Sequence, residues 1–288
     1  MKIGKYELSI AVSSYFSLDG GAMFGIIPKP LWDKSNPADE HNRVKLATRH
    51  LILQSDSRKI IIDTGMGNKW DDKSKSIYNL ISTQKLDHEL ELDHELKLEL
   101  HSLETDSITD VILTHLHFDH TGGSTKYENG KLIPTFPNAK YYVQKKNYDW
   151  AINPSDRDKG SYIKNNFEPL MNEGVLHFIN GEEQFDDGIS FVIVNGHTFY
   201  QQLIKITDGE NTLLCVCDLL PFASHIPLPY IMGYDLQPLV TLNEKKKILK
   251  QAVEENWKLF FYHDPEIVYA TLIQTDKGIR LKEKFYSL

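Results

Sequence analysis

Apolar and polar positions alternate from residue 2 to 13 (Ile3, Tyr6, Leu8, Ile10, Val12), a period of two that predicts an opening strand. Comparable apolar runs recur at 51–53, 60–62, 110–113, 139–143, 175–179, 189–194, 202–207, 212–217, 258–262, 267–273 and 279–286, most of them bounded by turn residues. Residues 48–65 read as a hairpin around Ser55-Asp56-Ser57, and 202–217 as another around Asp208-Gly209-Glu210-Asn211. Helical periodicity is sparser. It follows the strand at 139–143 as far as Trp150, covers 161–172, and is clearest at 244–257 (Ile248, Leu249, Ala252, Val253, Trp257), with Thr241-x-x-Glu244 as a capping box. Residues 84–103, where Leu86-Asp87-His88-Glu89-Leu90 recurs as Leu92-Asp93-His94-Glu95-Leu96, read as a charged surface helix with His88, His94 and His101 in solvent. The glycine- and proline-punctuated but apolar stretch 18–32 reads as an ordered loop packed over a pocket or a partner subunit. Ten or more strands and four or five helices, with no linker between them, predict two sheets with helices outside, in one domain spanning residues 1–288.

Composition narrows this picture. With 41% hydrophobic residues in 288, the chain can bury a sizeable core. A net charge of −8 argues against nucleic acid as a partner. Lys245-Lys246-Lys247, bracketed by Glu244 and Glu254-Glu255, reads as a solvated helix face. Cys215 and Cys217, one residue apart in the run 212–217, fall on one face of a strand as buried thiols and suit a reducing compartment. No signal-peptide core and no stretch of roughly 20 apolar residues stands out, so the expectation is a cytoplasmic protein without a membrane partner.

The densest chemistry follows the strand at 110–113: Thr114-His115-Leu116-His117-Phe118-Asp119-His120, then Thr121-Gly122-Gly123. Three imidazoles and a carboxylate packed this tightly repel on protonation and need separate hydrogen-bond partners unless a cation gathers them. On extended chain His115 and His117 share a face, and a turn after His117 brings Asp119 and His120 into a second position beside the first. Two adjacent metal positions follow. Three other apolar strands deliver a ligand-capable side chain at the tip: His197 in Asn195-Gly196-His197-Thr198, Asp218 after 212–217, and His263 in His263-Asp264. The set sorts into His115, His117 and His197 for one metal and Asp119, His120 and His263 for the other, with Asp218 bridging. Asp63, ending the strand at 60–62, is either a turn residue or an acceptor for a ligand histidine's other N–H.

His115-x-His117-x-Asp119-His120 followed by His197, Asp218 and His263 resembles the metallo-β-lactamase superfamily, and Asp63-Thr64-Gly65 falls where that superfamily carries its early Asp-x-Gly element. The resemblance covers essentially the whole chain. It implies a four-layer αββα sandwich of two mixed β-sheets flanked by helices, with the metals at one edge. Gaps of 21 residues from His197 to Asp218 and 45 from Asp218 to His263 are similar to those of the N-acyl-homoserine lactonase branch. So are Asp19-Gly20-Gly21-Ala22-Met23-Phe24-Gly25, Pro28-Lys29-Pro30-Leu31-Trp32, Phe136-Pro137-Asn138-Ala139, Asp218-Leu219-Leu220-Pro221 and Phe261-Tyr262-His263-Asp264, which look like the quorum-quenching lactonases of bacilli. Methyl parathion hydrolase is similar, more distantly, over the same segments. Two departures bear on the substrate. The tyrosine that assists the substrate carbonyl three residues after the bridging aspartate is here Pro221, and the family's Gly-His-Thr-x-Gly-His reads Gly196-His197-Thr198-Phe199-Tyr200-Gln201, which keeps the ligand histidine.

The expected chemistry is hydrolysis by a metal-bridging hydroxide. Two divalent cations, Zn2+ first with Mn2+ or Fe2+ as alternatives, about 3.5–4 Å apart, lower the pKa of a shared water toward ~7. The expected substrate is a lactone or related ester of the N-acyl-homoserine-lactone type, and the alternative is a phosphotriester or aryl ester. Asp119 is expected to bind a metal and accept the nucleophile's proton, with Asp218 as the bridge. His225, seven residues past Asp218, is either a proton donor or a loop histidine bonded to backbone. Met23, Phe24, Phe222, Tyr230 and Tyr234 either wall the pocket or simply pack. A diiron oxidoreductase of this fold usually carries a flavin domain for which the chain has no room, and the acidic balance disfavours a nuclease. The expected partners are the small-molecule substrate and a second copy of the chain through the N-terminal loop.

Overall fold

The computed structural model describes residues 1–82 and 105–288. The helix expected at 84–103, with its three histidines, lies outside the described residues. By backbone contacts the chain divides into two compact units, Met1–Phe16 with Thr48–Gly181, and Ser17–Ala47 with Glu182–Leu288.

The first sheet comprises β1 (Lys2–Ile3), β2 (Tyr6–Asp19), β3 (Arg43–Gln54), β4 (Lys59–Ile62), β6 (Asp110–Ile112), β9 (Lys140–Gln144) and β10 (Leu176–Ile179) in that spatial order, with β5 (Ile81–Ser82) on β2. β3 and β4 form the expected hairpin, Leu51 opposite Ile62 and Gln54 opposite Lys59. β4, β6, β9 and β10 run parallel, so their C-terminal ends lie on one side. Asp63 and Thr114 emerge there, just beyond β4 and β6, where open parallel sheets present their functional loops. Ile61, Val111, Leu113, Tyr141 and Val143 are buried with Phe167 and Leu170 in this unit's core. The short hairpin of β7 (Thr125–Glu128) and β8 (Lys131–Pro134) stands apart as a sheet of two.

The second sheet runs in chain order: β11 (Gln184–Asp186), β12 (Ile189–Val194), β13 (Gln201–Thr207), β14 (Thr212–Cys215), β15 (Lys258–Phe260), β16 (Tyr269–Thr275) and β17 (Gly278–Phe285). All its pairs are antiparallel except β14 with β15. The helix spanning Pro238–Glu254 packs on β16 and β17, burying Ile248, Leu249 and Ala252. The expected two mixed sheets with flanking helices are therefore present. No helix among the described residues is long and apolar enough to cross a membrane.

Several expectations need correction. Residues 18–32 are not plain loop but hold two short helices, α1 (Gly20–Phe24) and α2 (Lys29–Trp32). Asp19 caps the first by accepting from the Ala22 N–H at 2.8 Å, and proline in the first turn starts the second. α3 (Asp72–Ile77), α4 (Phe118–Thr121) and α5 (Lys145–Ile152) follow. The helix expected at 161–172 shortens to α6 (Glu168–Asn172), preceded by 3-10 turns, because Pro169 is tolerated only in a first turn. The last helix, α7 (Pro238–Glu254), starts at its proline, so Thr241 and Glu244 lie inside it and form no capping box. β14 ends at Cys215, and Cys217 takes a positive φ of 42° in a 3-10 turn, so the two buried thiols do not share a strand face. Lys246 and Lys247 are exposed as expected, but Lys245 is 0% exposed.

Candidate metal centre

In the first unit the turn after His117 forms as the spacing requires: His117 is extended (φ −67°, ψ 155°) and α4 begins at Phe118. The His115 ring lies 4.4 Å from that of His117 and 4.1 Å from that of His120, centroid to centroid, and all three are buried with Asp119. Asp63 organises the cluster. One carboxylate oxygen accepts from the Thr114 N–H at 2.7 Å, and the other from the Thr114 hydroxyl and His120 Nδ1, both at 2.8 Å. The acceptor alternative for Asp63 is thus the one found. Burial pushes the Asp63 carboxyl up, and His120 beside it opposes that shift. The Thr114 hydroxyl lies 3.1 Å from His115 Nδ1. Thr121-Gly122-Gly123 serves close backbone approach: a Cβ on Gly122 would sit 2.0 Å from the Met66 carbonyl oxygen.

In the second unit Asp218 stands between two imidazoles. His197 Nε2 is 3.1 Å from one carboxylate oxygen and His263 Nε2 3.2 Å from the other. The far nitrogens are also held, His197 Nδ1 at 3.0 Å from Asp235 and His263 Nδ1 at 2.9 Å from the Ala47 carbonyl oxygen. Thr241 donates to Asp235 at 2.7 Å, and Glu244 accepts the N–H groups of Asn195 and Gly196 at 2.7 and 3.1 Å. The first two turns of α7 therefore clamp the turn that carries His197. Asp264 fixes the next residue after His263, accepting from Glu266, Ile267 and Ala223 N–H groups.

Each unit thus carries a buried His/Asp group of metal-ligand chemistry. His120, His197 and His263 each bind an oxygen at Nδ1, which fixes the tautomer and presents Nε2, the arrangement metal-ligating histidines need. Burial opposes charge on His197, yet Asp218 and Asp235 push its imidazole up to about 10. Such an excess of negative charge at Nε2 suits a cation in place of the proton. Imidazole and carboxylate donors in this ratio fit divalent zinc, manganese or iron.

The segment around His225 is aromatic. His225 Nε2 donates to the Met23 carbonyl oxygen at 2.9 Å, and its ring stacks on Phe24 with centroids 4.8 Å apart. Burial holds its pKa down to about 3, so the ring is neutral. Phe24 also stacks on Trp32 and meets Phe222 and Tyr230. Met23, Phe24 and Phe222 are buried, Tyr230 is half-buried and Tyr234 is exposed. A second aromatic group was not anticipated from sequence. Trp70, Tyr78 and Phe118, each half-buried, meet pairwise at 5.2–5.4 Å beside Asp119. Phe118 was legible as part of the metal motif, but Trp70 and Tyr78 lie in an aperiodic stretch that carries no signal of its own.

The model of the metallo-beta-lactamase superfamily matches residues 50–263, about three quarters of the chain. This chain belongs to that superfamily. An N-acyl homoserine lactonase of Bacillus thuringiensis is 25% identical over 223 residues, 75% of this chain and 80% of that protein. The N-acyl homoserine lactonase AttM of Rhizobium radiobacter is 26% identical over 164 residues, which span 54% of this chain and only 58% of AttM. Among solved structures, a probable metal-dependent hydrolase from Staphylococcus aureus superposes with a TM-score of 0.85 at 27% identity, covering 99% of this chain and 98% of that one. AidC, a dizinc quorum-quenching lactonase, superposes with a TM-score of 0.79 at 23% identity over 99% and 97% of the two chains, a likeness of fold. The superfamily member described here is a metal-dependent hydrolase.

Proposed function

We propose that the chain hydrolyses a lactone of the N-acyl-homoserine type with two divalent cations, zinc first. In this reading His115, His117, His197 and Asp218 hold one cation, and Asp119, His120, Asp218 and His263 the other. The observation that carries it is the holding of His120, His197 and His263 through Nδ1 by Asp63, Asp235 and the Ala47 carbonyl, which leaves Nε2 as the nitrogen each would offer a cation. When bound, the cations supply an acidified water and Lewis acidity toward the substrate carbonyl. Asp119 would help hold one cation, and its carboxylate would be the acceptor for a proton released in the reaction. Asp218, whose two oxygens lie 3.1 and 3.2 Å from His197 Nε2 and His263 Nε2, would be shared by both cations in this reading. The Met23–Phe24 segment with Phe222, Tyr230 and Tyr234 in the second unit, and Trp70, Tyr78 and Phe118 in the first, are each read as apolar surface for the acyl chain. His225 positions that segment through Met23.

Pro221 supports a second reading, since it offers no hydroxyl to a lactone carbonyl: an aryl ester or phosphotriester is the next candidate class. The family match runs through both units, which supports taking residues 1–288 as one functional domain. Exposed Ile26 and Leu31 support a homodimer through the N-terminal segment, and two buried thiols support a reducing, cytoplasmic setting.

The test is metal analysis of the purified protein with parallel assays on an N-acyl homoserine lactone, a phosphotriester and an aryl ester. Two metals per chain and fastest turnover of the lactone are expected, with both the bridge and turnover lost in Asp218→Ala. A metal-loaded protein that opens no lactone but cleaves the aryl ester would replace the first reading with the second. Turnover retained in a metal-occupied Asp218→Ala protein would sink the bridging role.

A further inference from the structure

Lys245 lies on α7 with its side chain fully buried, and its ammonium reaches a set of main-chain oxygens. Nζ is 2.7 Å from the His225 carbonyl oxygen, 3.1 Å from that of Pro227, 3.4 Å from that of Leu228 and 2.6 Å from that of Tyr230. Three N–H donors are thus shared among four acceptors, all in one six-residue segment. A buried ammonium is costly unless such partners satisfy it, and a charge-assisted bond is about twice as strong as a neutral one. Without the lysine, those four carbonyls would turn inward with no donor from α7.

The segment that Lys245 gathers is bonded in turn to the N-terminal segment. His225 Nε2 donates to the Met23 carbonyl and the Gly233 N–H to the Ala22 carbonyl, at 2.9 and 2.7 Å. Gly25, at φ 57°, lies so close that a Cβ there would be 2.4 Å from the Ile231 carbonyl oxygen. Tyr230, whose carbonyl is one of the four, meets the edge of Phe24 at 6.1 Å. The turn whose carbonyls meet the ammonium thus also carries His225 and Tyr230, which touch Met23 and Phe24.

We propose that Lys245 is a positioning residue for substrate, its ammonium acting as an internal cation that holds the 225–230 turn and, through His225, the Met23–Phe24 wall in binding geometry. This rests on the lactonase reading above for the identity of the substrate, but not for the mechanical link.

The experiment pairs Lys245→Met, which keeps the stem and removes the charge, with Lys245→Gln, which keeps a donor. Both are loaded with metal and assayed on a long-chain N-acyl homoserine lactone and on γ-butyrolactone, which has no acyl chain. Lys245→Met is expected to keep two metals, to raise KM for the long-chain lactone about tenfold or more, and to leave γ-butyrolactone turnover within about twofold. Lys245→Gln should fall between it and the wild type. Independently of any substrate, hydrogen exchange should accelerate at the amides of 22–25 and 225–233 in Lys245→Met and not in β12–β14. Unchanged exchange at those amides overturns the link. Equal losses on both lactones, or failure of both variants to fold, overturns the substrate role and leaves Lys245 as a core residue. A wild type that opens no lactone, with exchange accelerated as expected, refutes the substrate assignment and leaves the link standing.

Discussion

Replacing Asp63 with asparagine tests how the metal site is built with little disturbance of the backbone. Asp63 sits at φ 55°, in the left-handed region that asparagine also tolerates, so the exchange introduces no new strain. The Thr114 N–H, at 2.7 Å, has no choice but to donate, so the amide oxygen must stay on that side. The amide NH2 then faces the Thr114 hydroxyl and His120 Nδ1, where the carboxylate now accepts at 2.8 Å. The hydroxyl can rotate and accept. His120 can accept only by moving its proton to Nε2, which removes the lone pair a metal needs. A hydrogen bond to a charged group contributes about 1.5–3 kcal/mol, and about 1.4 kcal/mol corresponds to tenfold, so affinity for the cation at His120 should fall about 10- to 100-fold. Metal-free stability should change less, because burial already disfavours the Asp63 charge that the variant lacks. Competition with a chromophoric chelator, read for the first and second equivalents separately, measures this. Unchanged affinity at both equivalents, or the same loss at both, would refute the role given to Asp63.

Two further predictions concern the second unit. His225, held down to about 3 against an ordinary 6.5, binds no proton in the folded state between those values while the unfolded chain does. Its contribution is complete above pH 6.5 and is lost as pH falls, by about 1.4 kcal/mol per unit, or about 2 kcal/mol by pH 5. Urea unfolding at pH 7 and pH 5 should therefore show the wild type losing about 2 kcal/mol more than His225→Gln, and equal losses would contradict the buried neutral ring. Gly196→Ala would place a Cβ 2.2 Å from the Thr241 hydroxyl and 2.5 Å from its backbone nitrogen. About 2–3 kcal/mol of destabilisation is expected by thermal melting, with impaired metal uptake through His197, whereas Gly160→Ala, facing open space, should melt like the wild type.

Much of the candidate site was legible before any coordinates because its histidines and aspartates sit at strand ends, and strand ends follow from apolar periodicity. His115, His117, Asp119 and His120 needed only the period of two and a turn, and the turn forms at Phe118. His197, Asp218 and His263 were each found as the first polar residue after an apolar run. Helices fared worse where proline placement competed with periodicity: Pro238 starts α7 six residues before the expected start, and Pro169 shortens α6. Asp235 carried no sequence signal, since its partner His197 is 38 residues away.

Sequence alone determined the class of fold, the His/Asp chemistry of the candidate site and the order of those residues along the chain, because these depend on local periodicity and residue type. Tertiary structure decided which oxygen holds which imidazole, since Asp63 with His120, Asp235 with His197 and Ala47 with His263 are pairings between residues far apart in sequence. It also decided the fate of Lys245. In a run of three lysines flanked by glutamates, composition points to water, and only the turn of α7 relative to the 225–230 carbonyls directs one of the three inward. Burying that charge depends on four oxygens brought together by the fold, and no pattern along the helix encodes them.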